Sequence, residues 1–155
     1  MKFIEAAIEG VEISYLTTYI DDRGSLIEVF RNDEISKSFM PVMGYVSVTK
    51  PGVIRGPHEH EEQADMFCFI GPSTFRLKLW DNRVNGLTYN NKMTLDLGED
   101  HPARVIVPKG VVHGYKNIGT INGTVYNFPN RLYNTDNVDE IRHEADPENI
   151  YLKDM

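Results

Sequence analysis

Gly52-Val-Ile-Arg-Gly-Pro-His-Glu-His60 joins a glycine-proline turn to an arginine and two histidines one residue apart. On a strand, residues at i and i+2 share a face, so His58 and His60 point the same way. Arg55 lies three residues before His58, and the turn between them decides whether it joins the pair. An isolated His-x-His reads equally well as a polar surface turn. A second segment, Pro108-Lys-Gly-Val-Val-His113, weighs against that reading. It too delivers a histidine from a Pro/Gly turn that follows an apolar run, Ala103 to Val107.

Working outward, short alternating runs separated by turn residues dominate. Val11–Leu16 and Ser25–Phe30 flank the turn Asp21-Asp-Arg-Gly24, and Gly44–Lys50 alternates Tyr45, Ser47 and Thr49 against Val46 and Val48. Met66–Ile70 is nearly continuous in apolar residues. Thr74–Trp80 sets Phe75, Leu77 and Leu79 against Arg76 and Lys78. Leu87–Leu95, Ala103–Val107, Val111–Lys116 and Gly123–Phe128 continue the pattern, while residues 31–43 and the tail from Asn130 read as irregular or short helix. Many short strands with turns between them mean an antiparallel all-β sandwich or barrel. A double-stranded β-helix, or jelly roll, fits both the length and the two histidine turns.

The 155 residues suffice for one domain, taken as 1–155 with the tail from about 130 packing on it. A net charge of −7 argues against a nucleic-acid or anionic-membrane surface. The single cysteine, Cys68, lies in an apolar run and reads as a buried structural thiol. Neither a signal peptide nor a membrane-length apolar run is visible, so a cytoplasmic protein is expected.

Gly52-x5-His58-x-His60-x4-Asp65-x5-Gly71 together with Pro108-x-Gly110-x2-His113-x3-Asn117 resembles the two cupin motifs. More narrowly, Asp22-Arg-Gly-Ser-Leu-Ile-Glu28, Val53–His58, Asp81-Asn-Arg83, Ile106–Gly114, Tyr126, Tyr133 and Asp146-Pro147 resemble the sugar-nucleotide 3,5-epimerases that act on dTDP-4-keto-6-deoxyglucose. The stretches run in family order along nearly the whole chain.

The resemblance implies a general base, His58, oriented by the carboxylate of Asp146, and a general acid, Tyr126, thirteen residues after His113. Imidazole titrates near neutrality, and a carboxylate fixes its tautomer. A 4-keto group acidifies the protons on C3 and C5, so such a base can remove them. Arg23, Glu28, Arg55, His60, His113 and Tyr133 fall at substrate-binding positions, with the arginines suited to phosphate oxygens. Tyr133 stands one residue further from Tyr126 than is usual. The resemblance further implies a homodimer that exchanges N-terminal strands, no cofactor and no metal, and a role in polysaccharide biosynthesis.

Two departures stand out. The epimerases usually place a lysine in the strand after the histidine turn, where this chain reads Ala64-Asp-Met-Phe-Cys68, and usually carry glutamine where His60 stands. The His-x-His pair also resembles the 3,4-ketoisomerases. A metal-dependent cupin enzyme is a further alternative, with His58, His60, Asp65 and His113 as ligands, although Arg55 beside such a site would oppose a cation. A sugar-nucleotide-binding protein without catalysis is the non-enzymatic reading.

Overall fold

The computed structural model describes residues 2–143 and 149–155. Its strands are β1 (Ile4–Glu5), β2 (Glu12–Tyr15), β3 (Thr18–Asp21), β4 (Gly24–Ile27), β5 (Tyr45–Thr49), β6 (Ile54–His60), β7 (Asp65–Phe69), β8 (Thr74–Asp81), β9 (Asn91–Gly98), β10 (Ala103–Val107), β11 (Val111–Asn117), β12 (Gly123–Asn127) and β13 (Glu140–Arg142). One short helix, α1 (Ile150–Asp154), follows. Two sheets face each other, in the orders β1-β9-β8-β11-β6-β13 and β2-β10-β7-β12-β5. The jelly roll expected from the strand spacing is the fold.

Alternation builds the core. Phe75, Leu77 and Leu79 on β8 are fully buried and meet Phe67, Phe69, Val105 and Val125 of the opposite sheet. Each such side chain stabilises the fold by about 1.5–3 kcal/mol relative to exposure. The outer face of the five-stranded sheet has its own cover: Ile35 and Phe39, from the irregular stretch before β5, pack on Met66 and Ile106. That is why β7 reads as continuously apolar, being covered on both sides. Burial also pushes the Cys68 thiol up to about 12, which fits a structural role.

Two boundaries differ from the sequence expectation. The strand expected from Leu87 begins at Asn91, because Asp81 organises the preceding turn by accepting from Thr88 Oγ1 at 2.5 Å and from the Asn90 amide at its carbonyl, 3.1 Å. The strand expected to reach Phe30 ends at Ile27, and Phe30 packs against Phe128 instead. On β5 the polar set faces inward. Thr49 is buried and Ser47 Oγ lies 2.7 Å from Tyr115 Oη, while Val46 and Val48 are 56% and 57% exposed.

The hairpin β3–β4 pairs only with itself, and Tyr19, Ile20 and Leu26 on it are exposed. At the other end of the chain, β13 pairs with β6, and α1 buries Tyr151 against Trp80. Asp154 fastens the helix by accepting from Trp80 Nε1 at 3.1 Å and pairing with Lys92 at 3.1 Å and Lys78 at 3.4 Å. Among the described residues no helix is long and apolar enough to cross a membrane.

Candidate active site

The two histidine turns meet at one end of the sandwich. His113 on β11 stands opposite His58 on β6 in the ladder, and their ring centroids are 4.4 Å apart. The pairing then slips: two steps along β11, from His113 to Tyr115, match three along β6, from His58 to Arg55. This bulge lies at Gly56-Pro57, where proline has no N–H for the ladder. Gly56 sits at φ +77°, and a Cβ there would come within 2.7 Å of the His113 carbonyl. Only glycine lets the two strands approach this closely.

His58 and His60 line one cavity of about 890 Å³, a size suited to a small-molecule ligand. Tyr45, Gln63, Arg131 and Tyr133 also line it. Deeper, Asp65 reaches across from the other sheet. Its Oδ2 lies 3.1 Å from His60 Nε2 and 3.2 Å from His113 Nε2, while its Oδ1 accepts from Gln63 Nε2 at 2.9 Å and Asn127 Nδ2 at 3.0 Å. The two imidazole contacts are close without the alignment of a hydrogen bond, and both Asp65 Oδ2 and His113 Nε2 are buried without a partner. His58, His60, Asp65 and His113 each present one donor atom, all within 4.8 Å of one another, a set able to hold a metal ion.

The electrostatics follow from burial. Desolvation, reinforced by the two neighbouring imidazoles, lowers the His58 pKa to about 2, so this ring stands neutral. Burial works against the Asp65 carboxylate too, but the adjacent His113 and His60 prevail and hold it well below the usual range. Desolvation opposes the charged form of His60, yet Asp65, Asp139 and Glu140 raise its pKa. Tyr45 is pushed up to about 12, mainly by burial, and its phenol accepts from Asn127 Nδ2 at 2.7 Å.

The other expected site residues divide. Tyr133 is at the cavity, 60% exposed. Tyr126 is not brought there: Val125 and Asn127 on either side of it point inward and are buried, so it lies on the opposite face, in register with Val46 and Cys68. Arg55 reaches across to β5, donating to Thr49 Oγ1 at 2.8 Å and the Val48 carbonyl at 2.9 Å, and does not line the cavity. Arg23, in the β3–β4 turn, is bound to Asp21, and Glu28 lies 3.9 Å from Arg31. Neither reaches the cavity within one chain. Asp146 lies outside the described residues.

Gln63, Asn127 and Tyr45 were missed from the sequence. Asn127 had a signal: it occupies an inward position in phase with Val125, where an amide must find a buried partner.

A jelly roll with a histidine cluster at the floor of a ligand-sized cavity defines a cupin-type fold and site. The family model described as dTDP-4-dehydrorhamnose 3,5-epimerase matches residues 5–152. The chain is 36% identical over 145 residues to the spore coat polysaccharide biosynthesis protein SpsL of Bacillus subtilis (strain 168), covering 92% of this chain and 93% of that one. It is 36% identical over 137 residues to the probable low-salt glycan biosynthesis epimerase Agl13 of Haloferax volcanii, covering 87% and 86%. Among solved structures, the dTDP sugar isomerase from Desulfovibrio desulfuricans G20 superposes with a TM-score of 0.81 at 19% identity, covering 94% of this chain and 88% of that one. The chain belongs to the dTDP-4-dehydrorhamnose 3,5-epimerase family. It is an isomerase, a carbohydrate epimerase of the nucleotide-sugar class.

Proposed function

We propose that the protein inverts C3, C5 or both on a nucleotide-linked 4-keto-6-deoxy sugar held in the cavity above His58 and His60. The observation that carries this reading is a neutral imidazole, His58, at the floor of a cavity of about 890 Å³ in a chain of this family. A neutral ring has its lone pair free to accept the proton on C3 or C5. The burial that keeps it neutral also resists protonation, so the base needs a carboxylate to accompany the proton, and Asp146 is the assigned partner. Reprotonation is assigned to Tyr45, a cavity phenol whose raised pKa leaves it protonated and able to donate, in preference to Tyr126 on the far face.

The nucleotide's phosphates need cations. Arg131 is at the cavity, and Arg23 serves the pocket of a second subunit in this reading. A lone two-stranded hairpin is marginal in water, and β3–β4 carries exposed Tyr19, Ile20 and Leu26. Val46 and Val48 add to the exposed apolar surface, which supports a homodimer with exchanged N-terminal strands. The product would serve polysaccharide or glycan assembly, as the names of the relatives say of those proteins.

Proton NMR in D₂O, with chelator-treated protein and dTDP-4-keto-6-deoxyglucose, tests this. The C3 and C5 signals should disappear without migration of the keto group, and His58→Ala should abolish the loss while leaving the fold intact. Undiminished exchange in that variant would remove His58 as base. A second reading rests on the His58-x-His60 pair, shared with 3,4-ketoisomerases; a 3-keto product would establish it.

A further inference from the structure

We infer that His58, His60, Asp65 and His113 form a binding site for one divalent transition-metal ion. The site is at the floor of the same cavity, but the inference does not depend on the reaction assigned there. Four donor atoms converge within 4.8 Å of one another. Two ligands on opposite sides of an ion at about 2.1 Å each stand about 4.2 Å apart, so the side chains are close to a coordination sphere.

The hydrogen atoms argue for a cation more directly. His113 Nδ1 lies 2.9 Å from the carbonyl of Val111, and a carbonyl can only accept. Nδ1 therefore carries a proton, and in the singly protonated tautomer that leaves, the Nε2 lone pair faces Asp65 Oδ2 at 3.2 Å. A lone pair and a carboxylate oxygen repel unless something positive lies between them. Neither atom has a hydrogen-bond partner, and both are buried, His113 at 2% and Asp65 at 1% exposure.

The surroundings are those of a ligand set held in place. Gln63 and Asn127 occupy Asp65 Oδ1, leaving Oδ2 aimed at the histidines, and the Val111 carbonyl fixes the His113 tautomer. Such outer partners orient metal ligands and raise their basicity. The groups within hydrogen-bond reach of Asp65 are two imidazoles and two amides, none of them permanently charged. Arg55, which the sequence set beside the site as an obstacle to a cation, is engaged on β5 instead. Three imidazoles with one carboxylate suit zinc, nickel, cobalt or iron(II) rather than calcium or magnesium. Such an ion, when bound, supplies a Lewis acid to a carbonyl oxygen.

The competing explanation is an imidazolium: a second proton on His113 would bridge to Asp65 with no ion. Titration of chelator-treated protein with Zn²⁺ and Ni²⁺ by calorimetry, and with Co²⁺ by visible absorption, separates the two. One ion per chain is expected, with nitrogen-rich Co²⁺ bands and a raised unfolding midpoint. Asp65→Asn and His113→Asn should abolish binding. If either variant fails to fold, Gln63→Ala keeps the test alive, with an expected loss in affinity of about 10–100-fold. No saturable binding would overturn the inference, and so would one-to-one binding that survives both ligand substitutions. Binding and deuterium exchange are separate readouts, so this inference and the epimerase reading can fail independently.

Discussion

Gly56→Ala and Gly52→Ala form a matched pair that separates backbone conformation from steric fit at the turn that positions His58. Both glycines have positive φ, +77° and +74°, but a Cβ at Gly52 meets nothing within 4 Å. At Gly56 the added carbon would stand 2.7 Å from the His113 carbonyl and 3.2 Å from Gly114 Cα. Left-handed backbone costs a residue with Cβ about 1–2 kcal/mol, which is the whole expectation for Gly52→Ala. Forcing two strands apart adds about 1–3 kcal/mol for Gly56→Ala. For a domain of this size each kcal/mol lowers Tm by roughly 2–4 °C. Gly52→Ala should therefore melt about 2–8 °C below wild type, and Gly56→Ala should melt lower still, by about 2–12 °C beyond that from the cost of separating the strands.

The functional half of the test is sharper. The Cβ at position 56 would also press on His58 Nδ1, 3.1 Å away, and the strand shift would separate His58 from His113. Gly56→Ala should lose most solvent exchange at C3 and C5 in the NMR assay, whereas Gly52→Ala should retain it. Equal losses of Tm in the two variants, or wild-type exchange in Gly56→Ala, would refute the argument that the bulge sets the site.

Tyr45→Phe should slow sugar reprotonation by about 10²–10⁴-fold in the exchange assay, with Tyr126→Phe close to wild type; the reverse order would return the acid role to Tyr126. Val46→Glu places a carboxylate on the exposed valine face of β5, and light scattering should then find monomers in place of the proposed dimers. Asp154→Asn removes the anion that secures α1. Although burial opposes it, Lys92, Lys78 and Trp80 hold the Asp154 carboxyl below its ordinary 3.8. Its charge therefore stabilises the fold in full above that value, and the contribution is lost as pH falls through the lower folded value. Urea unfolding should show wild type ahead by roughly 1 kcal/mol near pH 7, after allowing for screening, with the gap closing in strong acid.

What was legible in the sequence followed from period-two alternation and turn residues. Phe75, Leu77 and Leu79 announce β8, and His58 and His60 share a face because nothing interrupts the strand between them. What was not legible lies where register or long-range covering decides. Tyr126 has the right distance along the chain from His113, but spacing does not record which face a strand turns inward. Asn127, one residue on, has that face. Arg55 depended on the bulge at Gly56-Pro57, and its destination on β5 is a contact no local pattern contains. The polar side of β5 faces inward because Tyr115 and Asn127 wait there to be bonded, which a rule placing apolar residues inside reads backwards.

Asp65 carries the consequence furthest. The strand after the histidine turn, β7, holds no lysine and begins with a buried acid, Asp65, so the floor of the cavity carries a negative charge. Removing a proton beside a carbonyl sends negative charge to its oxygen, and a second anion on the same floor is costly without a counter-charge. Arg55 cannot supply it while bound to β5. A positive charge between Asp65, His60 and His113 would neutralise the acid and leave charge to share with the substrate oxygen. Either a protonated imidazole or a metal ion meets that requirement, and they differ in what a chelator removes. Full exchange after chelation assigns the charge to a proton; exchange that returns only with Zn²⁺ or Co²⁺ assigns it to the ion and moves the base away from His58.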